Sequence, residues 1–150
     1  MDLFNQFKMK KSLLAFTFSF LSMISFAQKE TKALKIVREN MDTQETSWNN
    51  FDIPGFMNYY WNNDSLKFIG SKGITYGWKS TLDNYIKGYP TKEAMGVLNF
   101  TIIEATQLSK TSVYVIGKWK LTKDKPAGGY FTLLWKKING NWVIVSDHTS

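Results

Sequence analysis

The side chains able to move a proton in this chain are few. His148 is the only histidine, and near neutral pH an imidazole can serve as general acid or base. Asp147 precedes it. Neighbouring residues on a strand point to opposite faces, so both can line one pocket only if the strand has ended or bulges there. If Trp142 and Ile144 face the interior, His148 does too; if Val143 and Val145 do, Asp147 does. Asp64 is the third candidate. A carboxylate set among Tyr60, Trp61 and Phe68 would have a raised pKa and could abstract a proton. The run Asn62-Asn63-Asp64-Ser65 is equally ordinary turn chemistry. Tyr60, Tyr76, Tyr85 and Tyr89 could donate hydrogen bonds to a ligand oxygen, each against the alternative of a core ring with its hydroxyl at the edge. Trp48, Trp61, Trp78, Trp119 and Trp135 could supply apolar walls. The expected set is therefore His148, Asp64 and Asp147 for chemistry, and Trp48, Tyr60, Trp61, Tyr76, Trp78, Tyr85, Trp119 and Trp135 for binding.

Other chemistries find no support. The chain has no cysteine and one histidine, which argues against zinc, whose sites draw on several such ligands. No glycine-rich phosphate loop, Ser-His-Asp order or paired-carboxylate motif is present. Neither a metal nor a cofactor is expected.

The elements that must position these residues follow from periodicity. Leu34, Val37, Met41 and Trp48 recur on one stripe of an amphipathic helix over 31–48. Asp52 suits the N-cap of a shorter helix, with Pro54 tolerated in its first turn. Residues 66–69 and 74–76 alternate as short strands around Gly70-Ser71-Lys72-Gly73. A third helix opens at Gly77, carries Trp78, Leu82, Tyr85, Ile86 and Tyr89 on one stripe, and ends before Pro90, since the residue before proline avoids helical geometry. Strands follow over 95–106 and 112–121, with Val113, Val115, Gly117, Trp119 and Leu121 on one face. Gly117, mid-strand and inward, marks a bend or leaves room for a ligand. Residues 123–129 make a loop. Two β-rich runs flank Asn139-Gly140, a pair suited to the positive-φ positions of a type I′ turn, so the chain closes on a tight hairpin. Three helices and then a long, curved antiparallel or mixed sheet form an α+β layout, with the helices in the concave face.

The N-terminus does not belong to that layout. Lys8, Lys10 and Lys11 precede an uncharged apolar run from Leu13 to Phe26, and Ser25-Phe26-Ala27 offers small residues before a cut at Gln28. These are the three regions of a secretory signal peptide over 1–27, leaving 28–150 as one domain. The run is too short to cross a bilayer comfortably as a permanent helix, and the protein is expected outside the cytoplasm. Removal takes three lysines and Asp2 with it, so the net charge falls from +7 to +5. The remaining lysines are spread out, unlike the clustered patch of a nucleic-acid surface. Without disulfides, packing alone must stabilise an exported domain.

Several runs resemble a known family. Trp48-Asn49-Asn50-Phe51-Asp52, then Phe56-Met57 and Tyr60-Trp61, resemble the helical start of SnoaL-like, nuclear-transport-factor-2-like domains. Gly77-Trp78, Tyr85 and Tyr89-Pro90 match their third helix. Gly117-Lys118-Trp119, 131–135, Gly140-Asn141-Trp142 and Asp147-His148-Thr149-Ser150 are similar to their closing strands, most of all in the small bacterial domains of unknown function related to the kinase association domain. The resemblance covers about residues 31–150. It implies a cystatin-like cone and a site position at His148, but not one function: the family includes ketosteroid isomerase, polyketide cyclases, dehydratases and scaffolding members. The chain has acids and tyrosines, yet no spacing reproduces the isomerase set of an Asp base opposite a Tyr and a protonated Asp, so that mechanism is not carried over.

Two functions remain. One is a binding site for a small hydrophobic molecule, which general acid–base catalysis could put to use. The other is a non-catalytic association module whose core is plugged by Trp61, Trp78 and Trp119. A homodimer is expected in either case. If Val113, Val115, Phe131, Leu133 and Trp135 face the core, then Tyr114, Ile116, Tyr130 and Leu134 form an outward apolar patch, and such patches mark contacts.

Overall fold

The first helix begins where its stripe begins. In a computed structural model that describes residues 30–150, Thr31 caps α1 (Lys32–Asn49) by accepting the Leu34 N–H. Leu34, Val37, Met41 and Trp48 are all buried. Asp52 caps α2 (Ile53–Met57) through the Gly55 N–H at 2.8 Å, with Pro54 in the first turn. β1 (Lys67–Gly70), β2 (Gly73–Tyr76) and α3 (Trp78–Gly88) follow. The signal-peptide assignment over 1–27 and the cut before Gln28 lie outside the described residues.

A four-residue helix, α4 (Lys92–Met95), was not expected; Thr91 caps it and Gly96 at φ +65° ends it. Four long strands then run β3 (Val97–Ser109), β4 (Ser112–Thr122), β5 (Ala127–Ile138) and β6 (Asn141–Thr149). The expected loop is shorter at its end, because Ala127, Gly128 and Gly129 already pair with Leu121, Lys120 and Trp119. Bare glycines are needed there. A Cβ on Gly129 would lie 1.7 Å from the Ser150 backbone oxygen. The β5–β6 turn is the expected tight one, with Asn139 and Gly140 both at positive φ.

The six strands form one mixed sheet in the order β2-β1-β6-β5-β4-β3, in which β1 runs parallel to β6 and every other pair is antiparallel. One face is covered by helices. Val113, Val115, Leu121, Phe131, Leu133 and Trp135 point into that layer and are buried, as their parity requires. The edge strand β3 is partly satisfied by α1: Asn49 exchanges two side-chain hydrogen bonds with Leu98, and Glu45 accepts the Phe100 N–H. A helix covering an edge in this way blocks further strand pairing.

Three bulges interrupt the regular alternation, one of them between Gln107 and Ser109 near the end of β3. Another falls between Ile102 and Glu104 on β3, and the last lies on β6, where Leu134 faces Ser146 but Trp135 faces Ile144. Val145 is the extra residue of the β6 bulge, and such an insertion bends the strand and re-aims the side chains beyond it.

Candidate functional site

That insertion decides which acidic or basic group faces inward. Trp142 and Ile144 are buried, so uninterrupted alternation would turn His148 inward as well. Because Val145 is unpaired, Asp147 instead takes the inward position beside Leu133, and His148 pairs with Thr132 and Ile69 on the outer face. The inward facing expected of His148 is therefore not what forms: it is exposed and does not line the cavity. The cause of the bulge is long-range. The segment leaving α2 bridges onto β6, with the Ile144 N–H donating to Tyr59 and the Trp61 N–H donating to Ile144. β1 takes over as the neighbour of β6 from Ser146 onward. Val145 sits where one partner gives way to the other.

The same bridge places Tyr60 opposite Asp147. Its hydroxyl donates to Asp147 Oδ2 at 2.6 Å, although 87 residues separate the two. Asp147 is 4 % exposed, and its second oxygen, Oδ1, is buried without a partner. Taking a carboxylate out of water penalises its charged form. Burial accordingly raises the Asp147 carboxyl to about 7, against the lowering effect of the Tyr60 hydrogen bond. Burial, reinforced by the nearby Asp147 charge, also pushes the Tyr60 and Tyr85 phenols well above their ordinary values. Both phenols are therefore neutral donors at any physiological pH.

Asp147 opens onto a cavity of about 670 Å³ between the helices and the sheet. Its inner wall is aromatic. Trp48 meets Phe56, Tyr85 and Tyr89 edge to face, with ring centroids 5.3, 5.9 and 4.8 Å apart. Phe68 packs on Tyr85 in the same manner. The opposite wall is the sheet, through Phe100, Trp119, Phe131 and Leu133. Trp48 Nε1 is a second buried polar atom without a partner. Both unpaired atoms are themselves buried, beside a cavity whose lining is mostly apolar rings, a composition usual for small-molecule pockets. Gly117 does not leave room for a ligand, because the Phe131 ring fills the space: a Cβ there would lie 2.3 Å from it.

Of the expected binding residues, Trp48, Tyr60, Tyr85 and Trp119 line the cavity, as Asp147 does. The others do not. Asp64 is exposed in the turn after α2 and Tyr76 is 58 % exposed at the end of β2; both sit where the chain has already left the inner layer. Trp61 lies outside the wall, its backbone N–H held by Ile144. Trp78 spends its indole N–H on the Met57 carbonyl at 2.9 Å. Trp135 is fully buried in the core proper. Of Trp61, Trp78 and Trp119, only Trp119 borders the cavity. Gln44, buried with its amide on the Phe56 carbonyl at 3.2 Å, is a wall residue that the apolar stripe of α1 gave no reason to single out.

No family model matches the chain, and no curated protein does. Solved structures do. An NTF-2-like protein of unknown function from Shewanella oneidensis MR-1 is 39% identical over 79% of this chain and 98% of its own, with a TM-score of 0.76. A ketosteroid isomerase-like protein from Erwinia carotovora atroseptica SCRI1043 is 19% identical over 81% of this chain and 97% of its own, with a TM-score of 0.66. A domain of unknown function with a cystatin-like fold from Nostoc punctiforme PCC 73102 is 13% identical over 81% and 78%, with a TM-score of 0.68. At these lower identities the likeness is one of fold.

Proposed function

The chain belongs to the nuclear-transport-factor-2-like family, and from that premise we propose that its cone binds a small, largely apolar molecule against the Asp147–Tyr60 pair. The observation that carries this reading is the unpartnered Asp147 Oδ1, buried in the wall of an aromatic cavity. An unpaired carboxylate oxygen in the interior is costly, and a ligand hydroxyl or an acidic C–H there would relieve it. A carboxyl near 7 is matched to taking a proton and returning it at neutral pH. Isomerase, cyclase or dehydratase-type proton transfer is the chemistry this site could perform, with Asp147 as acid–base group and Tyr60 as the residue that holds it. We place the chain with the small bacterial domains of unknown function in the family on the runs that carried the resemblance.

A thermal-shift screen of the mature protein against steroids, aromatic polyketides and hydroxylated aromatics tests the binding reading. A compound that raises Tm in the wild type, and raises it less in Asp147→Asn, is the expected result. No stabilising compound at millimolar concentration would favour the association module instead.

We further propose a homodimer built on the outer face of the sheet. Ile116, Tyr114 and Leu134 are half-buried there, with no helix of the described residues over them, and Tyr130 is 56 % exposed. Lys118 and Lys136 lie at the border of this patch. Sedimentation should give a dimer at micromolar concentration, and Ile116→Asp a folded monomer; a monomeric wild type ends the idea. Export remains the reading of residues 1–27. Among the described residues, no helix is long and apolar enough to cross a membrane. Intact mass of the protein recovered outside the cytoplasm should correspond to a chain starting at Gln28, and full-length protein in the cytosol would contradict it.

A further inference from the structure

The mouth of the cavity differs chemically from its floor. It is formed by the β1–β2 turn and the last turn of α3, which contribute Ser71, Lys72, Asn84 and Lys87 to the lining. Asp147 is the only acidic side chain among the lining residues, and it belongs to the interior. Among the described residues, Lys72 and Lys87 make no ion pair and no cation–aromatic contact. The ion pairs of the described residues use Lys35, Arg38 and Lys79, and the cation–aromatic contacts use Lys92, Lys118 and Lys123. Asn84, by contrast, is engaged with Thr75 at 3.2 Å, which ties the helix to β2 beside the opening.

We infer that the cavity's ligand is an amphipathic anion, with its carboxylate or similar group at the Lys72–Lys87 mouth and a hydroxyl or enolisable carbonyl at Asp147. This rests on the ligand-binding reading above. The geometry sets the spacer. Phe68 lies opposite Asp147 in the β1–β6 pair, and the turn carrying Lys72 begins two residues later at Gly70. Two residues of strand advance about 7 Å, so the polar ends of the ligand must be separated by roughly a fused pair of rings. The walls between them are Phe68, Tyr85, Trp119 and Phe131, suited to that flat apolar body. Two exposed cations above an apolar shaft also select orientation: the anionic end cannot descend without losing its hydration, so the neutral polar end meets Asp147.

The test is a matched pair of probes, a naphthol and the corresponding hydroxynaphthoic acid, titrated calorimetrically at pH 8. The acid is expected to bind about fivefold tighter than the naphthol at low salt, the size appropriate to two exposed ion pairs. That preference should vanish in a Lys72→Gln/Lys87→Gln variant and in about 1 M salt, where such charges are screened, while naphthol affinity stays unchanged in both. Equal binding of the two probes to the wild type, or a preference that survives the double substitution, overturns the anionic ligand and leaves the cavity reading standing. If neither probe binds the wild type, the cavity reading fails and the inference falls with it.

Discussion

Between pH 4 and pH 8 the wild-type protein is expected to lose about 4 kcal/mol of folding stability through Asp147 alone, and Asp147→Asn to lose none of it. The carboxyl lies at its ordinary 3.8 when the chain is unfolded and at about 7 when folded, and each pKa unit is worth about 1.4 kcal/mol. An acid whose folded pKa is the higher one binds a proton on folding anywhere between those values. Stability from this group is thus greatest below about pH 4, declines as pH rises, and levels off above about pH 7. The asparagine has nothing to ionise. It keeps an oxygen for the Tyr60 hydroxyl but adds a buried N–H with no partner, at a cost of about 2 kcal/mol. The variant should therefore be less stable than wild type at pH 4 and more stable at pH 8, by about 2 kcal/mol each way. Urea unfolding of both proteins across that range measures the crossing. Parallel curves would mean that Asp147 is hydrated and unperturbed.

Removing the other partner should act in the opposite sense with pH. Tyr60→Phe deletes the only hydrogen bond that the described residues make to the Asp147 carboxyl and disturbs no backbone contact, since Tyr59 and Trp61 hold Ile144 through main-chain atoms. At pH 8 the buried carboxylate has lost its donor and must stay unpaired or take up a proton, so the substitution costs about 2 kcal/mol. At pH 5 the carboxyl is protonated, and the loss falls to about 1 kcal/mol, that of a neutral hydrogen bond. Because the phenol lowers the Asp147 pKa, the carboxyl should also titrate above about 7 in this variant. The same denaturation series checks it. A loss of equal size at both pH values would show that the hydroxyl serves packing and not the carboxylate.

The elements were legible because each has a local cause. The α1 stripe, the Asp52 cap and the Asn139-Gly140 turn depend on residues within a few positions of one another, and all three form as expected. The facing of β4 and β5 was also readable, since their alternation is unbroken through the buried residues. The site was half legible. Asp147, Tyr60, Tyr85, Trp48 and Trp119 stood among the candidates, but nothing local joined Asp147 to Tyr60. Their contact depends on a bulge at Val145, and the bulge depends on where α2's exit and β1 dock along β6. Alternation counted from Trp142 passes through that position unbroken and delivers His148, which is why the histidine was favoured. Asp64 and Tyr76 failed for a related reason: both flank short segments whose exposure is set by how the β1–β2 hairpin sits on the sheet edge. Trp135 failed differently, since a fully buried ring has the same sequence signature as one bordering a cavity.

The most direct measurement is the carboxyl carbon-13 titration of Asp147, assigned by its absence in Asp147→Asn. A midpoint near 7 is expected in the free protein, moving downward when a saturating naphthol donates its hydroxyl to the unpaired oxygen, because a hydrogen bond to the charged form favours it. A midpoint near 3.8, unchanged by ligands that bind, would contradict a buried acid–base group at the floor of a binding cavity.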